Sequence, residues 1–194
     1  MTEFICKVTL KKLCDKNIIG EEDIDVYHYG LELLLATLFK AMGLMAIAAI
    51  TGLVKEAIIF TMFFSSLRVQ AGGYHAKTII GCFIGMVVFT FTSITLVRMI
   101  PLDYQQQYIL VAVVSSIALV FVYAPMESEN KPLTEEEEIL YRRRSLGTVI
   151  AGSIIIFHLV YLNSKLNYLG TIASTGFLLE SLTLIHFSKN RNKV

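Results

Sequence analysis

The sequence predicts an all-α integral membrane protein with about six transmembrane helices, with five as the alternative. Two observations lead to this fold class. Of the 194 residues, 55% are apolar and only 17% are charged, and nearly all the charge lies in short clusters between long apolar runs. Soluble domains carry more charge and spread it along their helices. We therefore expect a single membrane domain, residues 1–194, with the lipid bilayer as its surroundings.

The first 28 residues form an N-terminal segment that we expect at the cytoplasmic membrane surface. It lacks an apolar core followed by a small-residue cleavage site, so it does not read as a signal peptide and should remain on the mature protein. We predict a surface-lying helix here, although its apolar residues do not gather cleanly on one helical face. The segment is basic through Lys7, Lys11, Lys12 and Lys16.

Six apolar segments follow, at residues 29–52, 53–67, 78–97, 108–124, 146–162 and 168–187. Most are long enough to cross a hydrocarbon core of ~30 Å, which takes ~20 helical residues. The second segment is the doubtful one, because Lys55 and Glu56 near its start leave a short apolar core. It can be tilted or re-entrant rather than a full span.

The positions of lysine and arginine predict the topology, because these residues are retained on the cytoplasmic side. With six spans and a cytoplasmic N-terminus, thirteen of the 17 basic residues lie inside and three outside. Both termini, residues 68–77 and the loop 125–145 should then face the cytoplasm. We expect a multi-pass protein of the plasma membrane.

The loop 125–145 contains an acidic block followed by a basic one. This order at helical spacing suggests a short exposed helix with pairs such as Glu138 with Arg142. Charges inside spans usually face the bundle interior. Among these, Glu180 could pair with Lys40, which we treat as a structural hypothesis.

Polar and flexible residues are concentrated where the second and third apolar segments meet. Arg68 places a permanent charge at the membrane edge, and Gly72 and Gly73 free the backbone from helical geometry. His75 titrates near neutral pH, and Cys82 can become a nucleophile when its thiol is deprotonated. These residue types suit acyl transfer through cysteine, with the imidazole acting as base and then as acid.

The spacing of His75 and Cys82 requires a bent backbone. A straight helix would put both side chains on one face but ~10 Å apart in rise, beyond the ~3 Å needed for proton transfer. We therefore predict that residues 72–77 are not regular helix. No Asp or Asn lies near His75 in the sequence to orient its ring, which leaves Gln70, Ser65 and Ser66 as nearby polar options.

Other chemistries fit less well. The remaining histidines stand alone in separate segments, so neither a metal site nor any other cofactor is expected; these are His28, His158 and His186. The three cysteines have no framework spacing, which argues against disulfides. The net charge of +1 and the lack of a basic stripe with aromatics exclude nucleic acid as a partner.

Residues 68–82 read R-x-x-x-G-G-x-H-A-x-x-x-x-G-C, and Lys131-Pro132-Leu133 lies farther along the chain. This pattern closely resembles that of the accessory gene regulator protein B (AgrB) family. The likeness to the family extends over nearly the whole chain. The resemblance implies a membrane cysteine endopeptidase, a thiol protease that processes a small quorum-sensing propeptide in Gram-positive bacteria. Carried over by position, Cys82 is the nucleophile and His75 its base.

The resemblance also implies the site's support and its partners. Arg68 and Gly73 support the site, with Gly72 and Gln70 as further candidates. The substrate is a short AgrD-like propeptide, which leaves as a cyclic thiolactone autoinducing peptide and a released tail, and a homodimer is favoured. Because that tail is commonly acidic in the family, we expect basic side chains to bind it, namely Lys131, Arg142, Arg143 and Arg144.

A non-enzymatic reading is the alternative. In it the chain is a small transporter or membrane binding module, and the glycine pair is only a packing break. The lack of an internal repeat and the small number of intramembrane charges weaken this alternative. Neither the propeptide nor its cleavage site and ring size can be read from the sequence.

Overall fold

The computed structural model describes residues 24–72, 78–126 and 134–191, together with Cys6, Leu10, Cys14 and Gly20. Side chains are described throughout these ranges except at residues 25, 26, 29, 79, 164 and 186–191. Most of the predicted N-terminal surface helix and most of residues 72–77 therefore lie outside the described part of the chain. By its internal contacts the chain divides into two compact units, Met1–Gly52 and Leu53–Val194.

The described residues form helices and no strand, which confirms the all-α prediction. The first unit contributes α1, Ile24–Thr51. The second contributes five helices joined by loops and two short 3₁₀ turns: α2 (Val54–Ala71), α3 (Ile79–Arg98), α4 (Gln105–Tyr123), α5 (Glu135–Leu162) and α6 (Asn167–Arg191).

Five stretches of helix among the described residues are long and apolar enough to cross a membrane. Their outward faces carry large apolar side chains, such as Met42, Ile154 and Tyr161, which are 58%, 64% and 91% exposed. So much exposed apolar surface is typical of contact with lipid. The chain is therefore a multi-pass membrane protein, and the five stretches are Gly30–Thr51, Ile80–Arg98, Leu102–Tyr123, Glu135–Leu162 and Asn167–Ile185.

Helix α2 is the doubtful second segment of the sequence analysis, and it packs closely against α6. Gly176 makes the approach possible, because a Cβ there would lie 2.9 Å from the Phe60 carbonyl oxygen. Next to it, the rings of Phe63 and Phe177 meet edge to face with centroids 5.1 Å apart. Small residues let helix backbones approach in membranes in this way.

The polar contacts between α2 and α6 show that the two helices run in the same direction. Tyr168 bonds to Glu56 near the start of both helices, and Arg68 bonds to Glu180 three turns later. Both contacts span 112 residues of sequence, so the register is constant between them. Helix α2 therefore lies alongside the apolar stretch of α6 for about 18 Å of rise.

The start of α2, at Glu56, is held by a cluster of polar side chains. Arg98, the last residue of α3, donates from Nη2 to Glu56 Oε1 at 3.5 Å and from Nε to the Tyr168 hydroxyl at 3.2 Å. The cluster joins the start of α2 to the end of α3, so these two helices run in opposite directions. We call this the Glu56 end of the second unit.

Helix α5 begins earlier than the sequence analysis expected. The predicted exposed helix is present, but it continues into the membrane stretch without a break, so the connection to α4 is shorter than the predicted loop 125–145. A capping box starts it, because the Thr134 hydroxyl accepts from the Glu137 amide and the Glu137 carboxylate accepts from the Thr134 amide. No proline interrupts the helix after the basic block, and its Ser145 hydroxyl bonds to the Tyr141 carbonyl at 2.7 Å.

Candidate active site

Arg68, Gly72 and Cys82 lie at one end of the second unit, opposite the Glu56 end. Arg68 is in the last turn of α2, Gly72 follows that helix, and Cys82 is in the first turn of α3. We call this the Cys82 end. His75 and Gly73 lie outside the described residues, so the contact between His75 and Cys82 stays a prediction.

Cys82 is held by a well-formed helix start. The hydroxyl of Thr78 accepts a hydrogen bond from the Gly81 amide at 3.0 Å, and the Cys82 amide donates to the Thr78 carbonyl at 3.0 Å. A threonine at this position satisfies amides that would otherwise lack a partner. The thiol is partly buried in the first turn, at the end of a helix that stabilises negative charge. Sequence reasoning missed Thr78, although it lies four residues before Cys82.

The break at Gly72 follows the sequence prediction, because α2 ends at Ala71. Gly72 has φ +77°, and its amide donates to the Arg68 carbonyl at 3.0 Å. The structure adds a neighbour that the sequence did not indicate: the Met126 amide donates to the Ala71 carbonyl at 2.8 Å. A Cβ on Gly72 would overlap the Met126 carbonyl oxygen.

Arg68 forms an ion pair with Glu180 of α6, with Nη1 and Oε2 3.1 Å apart. Its guanidinium also lies over the Phe64 ring, 5.6 Å from the centroid. The Glu180 side chain is fully buried, and its Oε1 has no hydrogen-bond partner among the described residues. Lys40, the partner proposed from sequence, belongs to the first unit, and its pairing stays a prediction.

The basic residues of α5 lie at the Cys82 end as well. Arg142 donates to the Phe121 carbonyl at 3.1 Å and stacks on the Phe121 ring, two residues before α4 ends. The pair with Glu138 is not formed among the described residues, since Arg142 points to α4 instead. Arg143 and Arg144 are exposed, and Lys131 lies outside the described residues.

Gln70 is the remaining sequence-predicted member of the site. It is in the last turn of α2, and its Oε1 is buried without a hydrogen-bond partner among the described residues. Its part in the site stays a prediction.

The amino-acid sequence matches a known protein family. A family model described as accessory gene regulator B matches residues 5–184. The chain belongs to the accessory gene regulator B family. An AgrB-like protein of Listeria innocua is 28% identical over 170 residues, which cover 80% of each chain. AgrB-like protein 1 of Clostridium perfringens is 23% identical over 192 residues, or 99% of this chain and 100% of that one.

No solved structure matches the chain. Membership of the AgrB family links this membrane protein to the processing of quorum-sensing propeptides by the accessory gene regulator system. Within that family assignment, the described geometry adds Glu180, Thr78 and Met126 to the surroundings of the predicted site.

Proposed function

We propose that the chain is a membrane cysteine endopeptidase that cleaves a short AgrD-like propeptide at the cytoplasmic face of the cell membrane. The observation that supports the proposal is the position of Cys82, in the first turn of α3 at the same end of the bundle as Arg68 and Gly72. A partly buried thiol at a capped helix start meets the requirements of a nucleophile that must bear negative charge.

The reaction proceeds in two acyl transfers. His75 takes the proton of the Cys82 thiol, and the thiolate attacks the scissile carbonyl carbon. The C–N bond then breaks, the imidazolium gives its proton to the departing amine, and a thioester joins the propeptide to Cys82. A cysteine thiol of the propeptide attacks that thioester, which closes a thiolactone ring and returns the thiol to Cys82.

The membrane edge suits this exchange. One thioester replaces another, so the exchange is nearly neutral in energy, and the acyl group stays activated as long as water is kept out. The basic residues that follow the acidic first turn of α5 bind the acidic tail of the propeptide by charge-assisted hydrogen bonds. Two copies of the chain form the working homodimer.

Replacing the thiol tests the proposal. Cys82→Ala should abolish cleavage of a cognate AgrD-like propeptide, while the variant remains in the membrane at the wild-type amount. His75→Ala should lower cleavage by at least about a hundredfold, the usual contribution of a general base. Cleavage is measured on membranes that contain the enzyme and propeptide, with mass spectrometry of the products.

Cys14→Ala is the matched control, because it removes a thiol far from the motif in the sequence and should cleave as the wild type does. Wild-type cleavage by Cys82→Ala would contradict the proposal and favour a transporter or binding module instead. A Cys82-linked propeptide fragment, sensitive to hydroxylamine, is the expected intermediate.

A further inference from the structure

Arg68 and Cys82 lie near the same end of the bundle. Arg68 is three residues before the end of α2 at Ala71, and Cys82 is three residues after the start of α3 at Ile79. Each therefore lies about 4.5 Å inside its helix end. The two helices run in opposite directions. Counted from the Glu56–Arg98 pair, Arg68 lies about 18 Å along α2 and Cys82 about 24 Å along α3, so the two residues are about one turn apart in depth at the same end of the bundle.

The buried Glu180 carboxylate that pairs with Arg68 is not expected to stabilise the fold. Its side chain is 0% exposed, and only one of its two oxygens has a hydrogen-bond partner among the described residues. Burial of a charged pair is repaid only when its remaining hydrogen-bonding capacity is satisfied. A buried carboxylate oxygen without a hydrogen-bond partner is more often found at a functional site than in an ordinary protein core.

Without Glu180, the Arg68 guanidinium would be more stable at the membrane surface than inside the bundle. An arginine in the last turn of a membrane helix can extend its long side chain to the membrane surface, where the guanidinium is hydrated. The contact with Glu180 directs it sideways to α6 instead, and the Phe64 ring lies beside it. The close packing of Gly176 on Phe60, one turn away from Glu180, keeps the two helices in register.

We propose that Glu180 is a positioning residue of the active site: its buried carboxylate holds the Arg68 guanidinium at the Cys82 end of the bundle. As the thiolate attacks, negative charge passes from sulfur to the carbonyl oxygen of the scissile bond. A guanidinium fixed at that end stabilises the oxyanion more than the uncharged substrate, which raises kcat. This inference rests on the proposed peptidase function.

Glu180→Gln tests it, because the substitution removes the charge and keeps the size of the side chain. We expect kcat for propeptide cleavage to fall by about 10- to 100-fold, in the range of other electrostatic groups, while KM changes less than about threefold. Glu180→Asp, which keeps the charge, should recover part of the lost kcat. Both are measured at equal amounts of membrane-inserted protein in proteoliposomes.

The exchange of the two charges separates positioning from folding. The double variant Arg68→Glu, Glu180→Arg can form the same ion pair, so its amount in the membrane and its Tm in detergent should approach those of the wild type. Cleavage should stay at least about tenfold below the wild type, because the cation now lies on α6. Full cleavage by the exchanged pair, or an unchanged kcat in Glu180→Gln, would overturn the inference.

Glu56→Gln is the matched control. It removes the carboxylate of another ion pair of α2, the pair with Arg98. Arg98 lies 16 residues, or about 24 Å, from Cys82 along α3. Glu56→Gln should lower Tm but leave kcat unchanged; an equal loss of kcat there would show a general effect of lost ion pairs and refute a positioning role. Cys82→Ala distinguishes the two proposals. Cleavage by Cys82→Ala refutes the peptidase function. If Cys82→Ala is inactive and Glu180→Gln is fully active, only the role of Glu180 is refuted.

Discussion

Gly72 has two separate reasons to be glycine. Its φ of +77° is in the region that side chains with a Cβ rarely adopt, and a Cβ would also overlap the Met126 carbonyl oxygen. The glycine pair in the sequence was enough to predict a break in the helix. It was not enough to predict the neighbour, because Met126 is brought to Ala71 by the packing of α4, 55 residues farther along the chain.

We expect Gly72→Ala to lower the free energy of unfolding by about 2 kcal/mol or more, since strain at positive φ and the overlap with backbone add together. Thermal unfolding in detergent measures the change. Gly147→Ala is the control, because no atom lies within 4 Å of the Cβ it would add and alanine favours a helix. A Tm for Gly72→Ala equal to that of Gly147→Ala would show that the turn accepts a side chain.

Helix α5 carries its acidic and basic blocks on one continuous element. The sequence was sufficient to predict helix in the polar part, from the acid-base spacing, and in the apolar part, from its length. The contact of Arg142 with Phe121 could not be predicted, because the local pair with Glu138 is the only partner that sequence spacing indicates. All three arginines are exposed, and among the described residues Arg142 is the one that contacts Phe121 of α4.

Arg143 and Arg144 are therefore the residues to substitute in a test of tail binding. Arg143→Gln with Arg144→Gln should raise KM for an acidic-tailed propeptide several-fold, with little change in stability, because both side chains are exposed. The effect should shrink as salt is added. A propeptide with a neutral tail is the control, and an equal rise of its KM would show that the arginines do not read the tail's charge.

The composition of the whole chain predicted its class correctly, but it left the number of spans at five or six. The uncertainty came from α2, whose charges count against a span when they are read along the sequence. The structure places partners for two of them on other helices: Glu56 meets Arg98 and Tyr168, and Arg68 meets Glu180. A hydropathy profile does not include pairs between residues that are distant in the sequence, so the sequence alone cannot decide whether α2 spans the membrane. The predicted approach of His75 to Cys82 lies outside the described residues.

If α2 crosses the membrane beside α6, its two ends face opposite compartments. In a chain without other cysteines, Lys55→Cys should react from outside with a membrane-impermeant maleimide, and Val69→Cys only after permeabilisation. Both positions are exposed, so protein burial does not protect them. Labelling of both cysteines from the same side would instead show a re-entrant α2.

The constant separation of 112 residues between α2 and its polar partners on α6 has a consequence for biosynthesis. At a synthesis rate of 5 to 20 residues per second, Glu180 follows Arg68 out of the ribosome on the order of ten seconds later. During that interval α2 holds a guanidinium whose carboxylate partner on α6 has not yet been made. Helix α6 therefore completes the environment of a helix made more than a hundred residues earlier, and the end of the bundle that carries Cys82 is finished only after Glu180 has been made.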